Sequence, residues 1–368
     1  MIDPSAKPAV VDAAFQAQVE NKPSRVSCTI NFDADGRQVG FMTVPHSRND
    51  SAWGSLQIPI VCVKNGRGPT VMFTGGSHGD EYEGPIALLK LARGLRAADV
   101  AGRVIIIPTL NLPAVRSATR LSPIDGRNMN RVFPGNPDGT VTEVIADFVL
   151  TELVRISDKV VDLHSGGKTL NYVPSVVMHY LDDPDLMERT FAALQSFGAP
   201  IGMILRELDS QGMLDTAVEQ LGKVFISTEL GGIGTSSADS VGIAERGVRN
   251  LLSHFGVISA DPTPPEDRGL PATRLMETPH ADCFTVVAHA GILEMTVDLG
   301  DEVAEGQLLA RIYDYEDIER PPAEYFAKKG GLVFCRHAPG LIQRGDCLAV
   351  VGSDIPARGP KRSEPRPH

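Results

Sequence analysis

Four short apolar runs, each closing on a side chain that can bind a metal, carry a proton or hold a ligand, constrain this chain more than any other feature. Thr70 to Thr74 leads into Gly75-Gly76-Ser77-His78-Gly79-Asp80-Glu81, and Arg103 to Leu110 leads into Asn111. Lys159 to Leu163 leads into His164-Ser165-Gly166-Gly167, and Val224 to Thr228 leads into Glu229-Leu230-Gly231-Gly232. Between these runs the apolar spacing turns helical, with Pro85 at the first turn of one segment and further helices expected over Val141 to Arg155, Asp185 to Phe197 and Gly242 to Phe255. Strands alternating with helices predict an α/β fold with a mixed, mostly parallel sheet flanked by helices, and ligands collect where such strands' carboxyl ends emerge.

With 368 residues the chain exceeds the size at which one core usually stops growing, so more than one domain is expected. Residues 1–25 read as an N-terminal segment. The catalytic α/β domain is expected over 26–262, with a β lead-in made of Val26 to Phe32, Gln38 to Val44 and Leu56 to Val63. The first two of these flank Asp33-Ala34-Asp35-Gly36, a hairpin signal. Prolines at 262, 264, 265 and 271 mark a linker, after which helical periodicity ends. Residues 263–352 then show an internal echo: Gly300-Asp301-Glu302-Val303 to Leu309 against Pro339-Gly340-Leu341-Ile342 to Leu348. Two such halves resemble the flattened β-sandwich of biotinyl and lipoyl carrier domains. Because the connection between them is long and lacks Met-Lys-Met, a structural β module rather than a carrier is expected. Residues 353–368, rich in Pro, Arg and Lys, read as a disordered tail.

A formal net charge of -11 excludes nucleic acid and anionic membrane as natural partners, since both require a basic face. No apolar run approaches the roughly 18 residues of a membrane span. The N-terminus has neither the basic nor the apolar stretch of a secretory signal, and five scattered cysteines form no Cys-x-x-Cys pair. A reduced, cytoplasmic protein is the expectation.

His78 and Glu81 lie three apart in a glycine-rich loop, a spacing that lets one turn present both to a single ion. His164 at another strand end would complete a His2Glu zinc site whose fourth position is left to water. Asp80 and Glu83 remain local rivals to Glu81. Asp162 alternates with His164 along one strand, so both point to one face and the carboxylate can orient the imidazole; a buried acid bonded to a neighbouring loop is the other reading. Glu229 is placed to move a proton beside a bound ion, or to cap a helix or fill a salt bridge. The remaining histidines stay outside the site. The non-periodic loop from Arg120 to Gly135 carries Arg120, Arg127, Arg131, Asn128 and Asn130, an anion-binding composition.

In the order His-Gly-Asp-Glu, Asn-Arg-x-Phe-Pro-Gly, Asp-x-His-Ser-Gly-Gly and Thr-Glu-Leu-Gly-Gly, these motifs resemble the succinylglutamate desuccinylase and aspartoacylase family, zinc amidohydrolases related to carboxypeptidases. The resemblance runs over about residues 50 to 350. It implies one zinc per chain on His78, Glu81 and His164, with Glu229 as general base and acid. It implies that Asn130 and Arg131 grip the substrate α-carboxylate. Arg120 is implied to polarise the scissile carbonyl, with Arg127 its rival. The family often carries Asp where this chain has Asn128, which removes a negative charge from that pocket. The substrate implied is a small N-acyl amino acid, and the assembly expected is a homo-oligomer, a dimer. A metallocarboxypeptidase would use the same groups on a peptide, and a non-catalytic binding or carrier protein is the reading from another class. The residue meeting the substrate's side chain and the role of Lys168 are not legible.

Overall fold

The computed structural model describes residues 23–206, 211–259 and 272–355. The N-terminal segment up to 22, most of the proline-rich linker and the tail beyond 355 lie outside the described residues.

A β-ribbon opens the fold. β1 (Ser27–Cys28) pairs antiparallel with β2 (Gly36–Pro45), which pairs along its whole length with β3 (Ser55–Asn65). The expected first strand, Val26 to Phe32, shrinks to two residues for a local reason. The Gln38 side chain takes over the groups a longer ladder would have used, accepting from Asn31 N–H at 3.0 Å and donating to Asn31 C=O at 2.7 Å.

The central strands follow as β4 (Thr70–Gly75), β5 (Gly102–Ile107), β6 (Lys159–His164), β7 (Leu170–Tyr172), β8 (Ser175–His179), β9 (Ile201–Leu205) and β10 (Val224–Glu229). The chain ends with β11 (Arg274–Thr278), β12 (Phe284–Val286), β13 (Gly291–Met295), β14 (Glu302–Val303), β15 (Leu308–Tyr313), β16 (Ala323–Phe326), β17 (Gly331–His337), β18 (Leu341–Ile342) and β19 (Cys347–Asp354). One 15-stranded sheet runs β1-β2-β3-β5-β4-β6-β10-β8-β9-β11-β19-β17-β14, with β12 on β19 and β7 on β17. A four-stranded sheet, β16-β15-β13-β18, faces its far end. The α/β reading holds, with a mixed sheet and a second small antiparallel sheet.

Six α-helices cover the central sheet among the described residues: α1 (Glu83–Gly94), α2 (Leu112–Ser117), α3 (Val141–Phe148), α4 (Pro184–Phe197), α5 (Leu214–Gln220) and α6 (Ala238–His254). Continuously apolar strands such as Val71-Met72-Phe73 and Val104-Ile105-Ile106 are buried on both faces, as parallel strands between helical layers must be. One layer packs Leu88 and Leu91 of α1, Phe197 of α4 and Leu251 of α6 against the sheet, and the other packs Ile145 of α3 and Val218 of α5. Each such side chain contributes about 1.5–3 kcal/mol on burial. The expected helix over Val141 to Arg155 changes to a π-helix at Val149–Val154. α6 begins four residues earlier than expected because Ser237 caps it, accepting from Ser240 N–H.

The internal echo is structural. β14 and β15 flank one turn and β18 and β19 flank the other, with Asp301 accepting from Asp298 N–H and Asp346 from Gln343 N–H at matching positions. Val287, Leu309, Leu348 and Val351 fill the space between the two layers. Ser353 and Asp354 correct the expected start of the tail. Both belong to β19, where Met276 and Glu277 of β11 pair with them and Arg274 holds Asp354 through two hydrogen bonds.

Candidate metal and catalytic site

β4, β6 and β10 lie side by side and parallel, so their carboxyl ends deliver His78, His164 and Glu229 to one edge of the sheet. The loop after β4 is pinned on its outer side. Gly79 donates to Thr119 C=O, and a Cβ on Gly79 would lie 1.9 Å from the Ala114 carbonyl carbon, a contact only glycine permits. Asn111, at the end of the second apolar run, is a structural residue: its carboxamide caps α2 and donates to Ser77 C=O at 3.3 Å.

His78, Glu81 and His164 are all buried, and one ligand atom from each lies within 4.8 Å of the others. Glu81 bridges the two rings, with Oε1 2.6 Å from His78 Nδ1 and Oε2 2.9 Å from His164 Nδ1. Each ring is held from behind through its other nitrogen. His164 Nε2 lies 2.8 Å from Asp162 Oδ2, and His78 Nε2 lies 3.0 Å from Asn128 Oδ1. Acceptors at Nε2 favour a proton there, the tautomer that would leave Nδ1 of each ring to a metal. Two imidazoles and a carboxylate are a donor set that suits zinc.

The electrostatics follow. Burial alone would raise the Glu81 carboxyl, but the two imidazoles outweigh it and hold Glu81 well below the usual carboxylate range. Burial would likewise lower His164, but Asp162 and Glu81 outweigh it and push His164 up. Asp162 is buried too and is nonetheless held low, by His164 and by hydroxyl donors from Thr74 at 2.8 Å and Ser77 at 3.1 Å.

Glu229 pairs in register with His164 across β10 and β6. Its Oε2 is buried with no hydrogen-bond partner among the described residues. Burial, reinforced by the Glu81 charge, pushes its carboxyl up to about 8, against the pull of His164 and Arg120. This carboxyl neither caps a helix nor fills a salt bridge among the described residues. Its loop is fixed from outside: Gly166 and Tyr172 both donate to Gly231 C=O, and a Cβ on Gly232 would lie 2.0 Å from Leu170 C=O.

The anion loop divides. Arg120 Nη1 lies 3.4 Å from both Glu81 Oε1 and His78 Nδ1, beside the cluster. Arg127 points elsewhere, 3.9 Å from Glu143 with half its side chain in solvent. Asn130 is buried and accepts from Leu214 N–H at 2.8 Å, and Arg131 folds back to donate to the Asn130 carbonyl at 2.7 Å. Lys168 turns outward, its ammonium on Ala118 C=O at 2.6 Å. Of the rivals to Glu81, Asp80 accepts from Lys168 N–H at 2.9 Å, and Glu83 stands at the start of α1; neither joins the metal group. Asn128 is the residue that sequence reasoning misplaced. Its carbonyl holds His78 and also accepts from Asn130 N–H at 2.9 Å, so it supports the cluster rather than the anion pocket. The Asn-x-Asn spacing, which favours exactly such an i to i+2 side-chain turn, carried that signal.

Residues 67–255 match the model of the succinylglutamate desuccinylase/aspartoacylase catalytic domain. The chain belongs to this family. It is 46% identical over 340 residues to the N-alpha-acetyl-L-2,4-diaminobutyric acid deacetylase of Halomonas elongata, covering 92% of this chain and 98% of that protein. Among solved structures it is similar to the product-bound ectoine utilization protein EutE (DoeB) from Ruegeria pomeroyi, with 50% identity and a TM-score of 0.87 over 90% of this chain and 99% of that one. An aspartoacylase family protein from Mesorhizobium loti matches at 31% identity and a TM-score of 0.79, over 91% of this chain and 100% of that one. Among the described residues no helix is long and apolar enough to cross a membrane.

Proposed function

We propose that this family member is a zinc-dependent deacetylase that hydrolyses Nα-acetyl-L-2,4-diaminobutyrate to diaminobutyrate and acetate in ectoine catabolism. The observation that carries the chemistry is the bridged His78–Glu81–His164 group with Glu229, unpartnered, in register beside it. The substrate rests on the 46% identity to the Halomonas deacetylase over nearly its whole length, and a chain of net charge -11 suits a product bearing two ammonium groups.

His78, Glu81 and His164 would hold one zinc per chain, which would supply Lewis-acid polarisation of the acetyl carbonyl and a water of lowered pKa. Glu229 removes the proton of the attacking water and returns it to the departing nitrogen. Its buried Oε2, without a hydrogen-bond partner among the described residues, is placed to take up a proton and give it back. Arg120, beside Glu81, stabilises the oxyanion as it forms. Asn130 and Arg131 take the substrate α-carboxylate, and Asp162 keeps His164 oriented. The catalytic part spans 26–262, and the β module that follows it, closed by β19 at Asp354, restricts the site to small substrates. The enzyme works in the cytoplasm as a homodimer.

The test is acetate release by zinc-loaded protein from Nα-acetyl-diaminobutyrate, beside its side-chain-acetylated isomer, N-acetyl-aspartate and N-succinyl-glutamate. Preferred turnover of the first, lost on chelation and lowered by about 10²–10⁴ in Glu229→Gln, is expected. Preference for another acyl amino acid overturns the substrate and keeps the hydrolase. No turnover of any overturns the reading.

A further inference from the structure

β10 runs through the middle of the large sheet, between β6 and β8, yet one of its faces is not sealed. Ile226 and Thr228 are fully buried, whereas Ser227 and Glu229 are partly exposed. Residues two apart on a strand share a face, so a cleft runs from Glu229 past Ser227 on the side where Phe225 packs with Val218 of α5. On the neighbouring β8, Ser175 stands opposite Glu229 and Val177 opposite Ser227, which puts His179 on the same face, further along. There it meets two acids of α5. His179 Nδ1 lies 3.0 Å from Glu219 Oε2, and its Nε2 lies 4.0 Å from Asp215 Oδ2. Asp215 and Glu219 stand one helical turn apart, on one side of α5, and both are mostly buried. The reaction as derived above uses none of the three.

Asp215 also adjoins groups that do have a role. Leu214, next to it, donates its N–H to Asn130 Oδ1 at 2.8 Å, and Phe133 N–H donates to Gly212 C=O at 3.0 Å, so the start of α5 is fastened to the loop carrying Asn130 and Arg131. A substrate whose acetyl carbonyl lies beside Glu229 and whose α-carboxylate lies on Asn130 and Arg131 has its side chain left to place, and the cleft toward α5 borders both anchors. Glu83 is the rival acid. It is 1% exposed and its Oε2 has no hydrogen-bond partner among the described residues, but it heads α1, which packs with Ile226 against the opposite face of the sheet.

We propose that Asp215, backed by His179 and Glu219, receives the free side-chain ammonium of the substrate and so selects a basic side chain. This rests on the deacetylase reading. An ammonium entering a mostly buried place needs a carboxylate in exchange for its water, and a buried carboxylate facing an apolar group of the same size gives up water for no return. Glu219 adds a second negative charge one turn away. A cationic side chain is therefore drawn in, while an apolar or acidic one is refused.

The test gives full-length, zinc-loaded protein two substrates of one shape: Nα-acetyl-diaminobutyrate, and Nα-acetyl-norvaline, in which a methyl replaces the ammonium. The parent should favour the first by about 30-fold or more in kcat/KM, the scale of one lost partner in a buried charge pair. Asp215→Asn and Asp215→Ser should each bring that ratio to within about threefold of unity, through a raised KM for the amine with kcat and norvaline-substrate turnover near those of the parent. Glu219→Gln should lower the ratio by less. Turnover of the norvaline compound reports folding and intact chemistry in every variant, and either folded Asp215 variant suffices. A ratio that stays at the parent's value, or two substrates that lose equally, overturns the proposal, as does a parent with no preference for the amine. A parent that turns over neither substrate overturns the deacetylase reading on which the proposal rests.

Discussion

Replacing Asp162 with Asn tests how far the chain's zinc affinity depends on a residue that would never touch the ion. Asp162 is 1% exposed, holds His164 Nε2 at 2.8 Å and is itself satisfied by the Thr74 and Ser77 hydroxyls. Its carboxylate is thus free to act on His164 as a charged acceptor, which makes the imidazole a stronger donor to metal. Asn keeps the shape and removes the charge. Loss of such a partner costs about 10–100-fold in metal affinity, or about 1.4–2.7 kcal/mol. The effect should depend on pH. Asp162 is one of the groups that push His164 up, so in the parent a proton competes with the metal for His164 over a wider range than in the variant. The ratio of the two dissociation constants should therefore be largest above neutrality and shrink as pH falls. Competition against a chromophoric chelator at pH 6, 7 and 8 measures it, with thermal melts of both metal-free proteins to confirm folding. A folded Asp162→Asn variant binding zinc within threefold of the parent at pH 8 would refute the reasoning.

Three further outcomes are expected. Arg120→Ala should lower kcat by about 10²-fold, the scale of one lost oxyanion donor, whereas Arg127→Ala, whose guanidinium faces Glu143, should stay within about threefold; steady-state kinetics on the two variants separates them. Asp125 is half-buried, which raises its carboxyl, but hydrogen bonds from Thr142 N–H and Oγ1 outweigh this and hold it low. The stability it contributes is present above the ordinary Asp pKa and lost as pH falls through the depressed value. Asp125→Ala should accordingly destabilise at pH 7 by about 1–3 kcal/mol and much less near pH 3, as denaturant titrations would show. Gly247→Ala should destabilise although alanine is the better helix former by about 1 kcal/mol. The new Cβ would stand 2.2 Å from the ring of Phe197, which is fully buried, and overpacking of that kind costs about 1–3 kcal/mol; an unchanged or raised melting temperature would contradict this.

Much of the site could be read from residues close together in sequence. A strand end followed by His-x-x-Glu, and an Asp two residues before a His, are local statements that the β4 and β6 geometry turns directly into contacts. The side of the sheet built by β8, β9 and β11 was silent, because β8 runs antiparallel to β10 but parallel to β9, and a partner strand leaves no mark in a short apolar run. Asn128 shows the other limit. Its composition reads as ligand-binding, and only the approach of His78 from fifty residues away decides what its carbonyl does. β7 is three residues of intermediate burial without alternation, so nothing local announces that it joins the Glu229 loop to β17.

That junction ties the Glu229 loop to the far end of the large sheet. Tyr172 N–H holds Gly231 C=O while Tyr172 itself pairs with Cys335, and β17 in turn depends on β19, which lies between it and β11. The loop bearing Glu229 is thus held twice, from nearby by Gly166 N–H on Gly231 C=O and at a distance through Tyr172 by strands that end at residue 354. A change in β17 or β19, a hundred residues away in sequence, can therefore reach Glu229 without touching His78, Glu81 or His164.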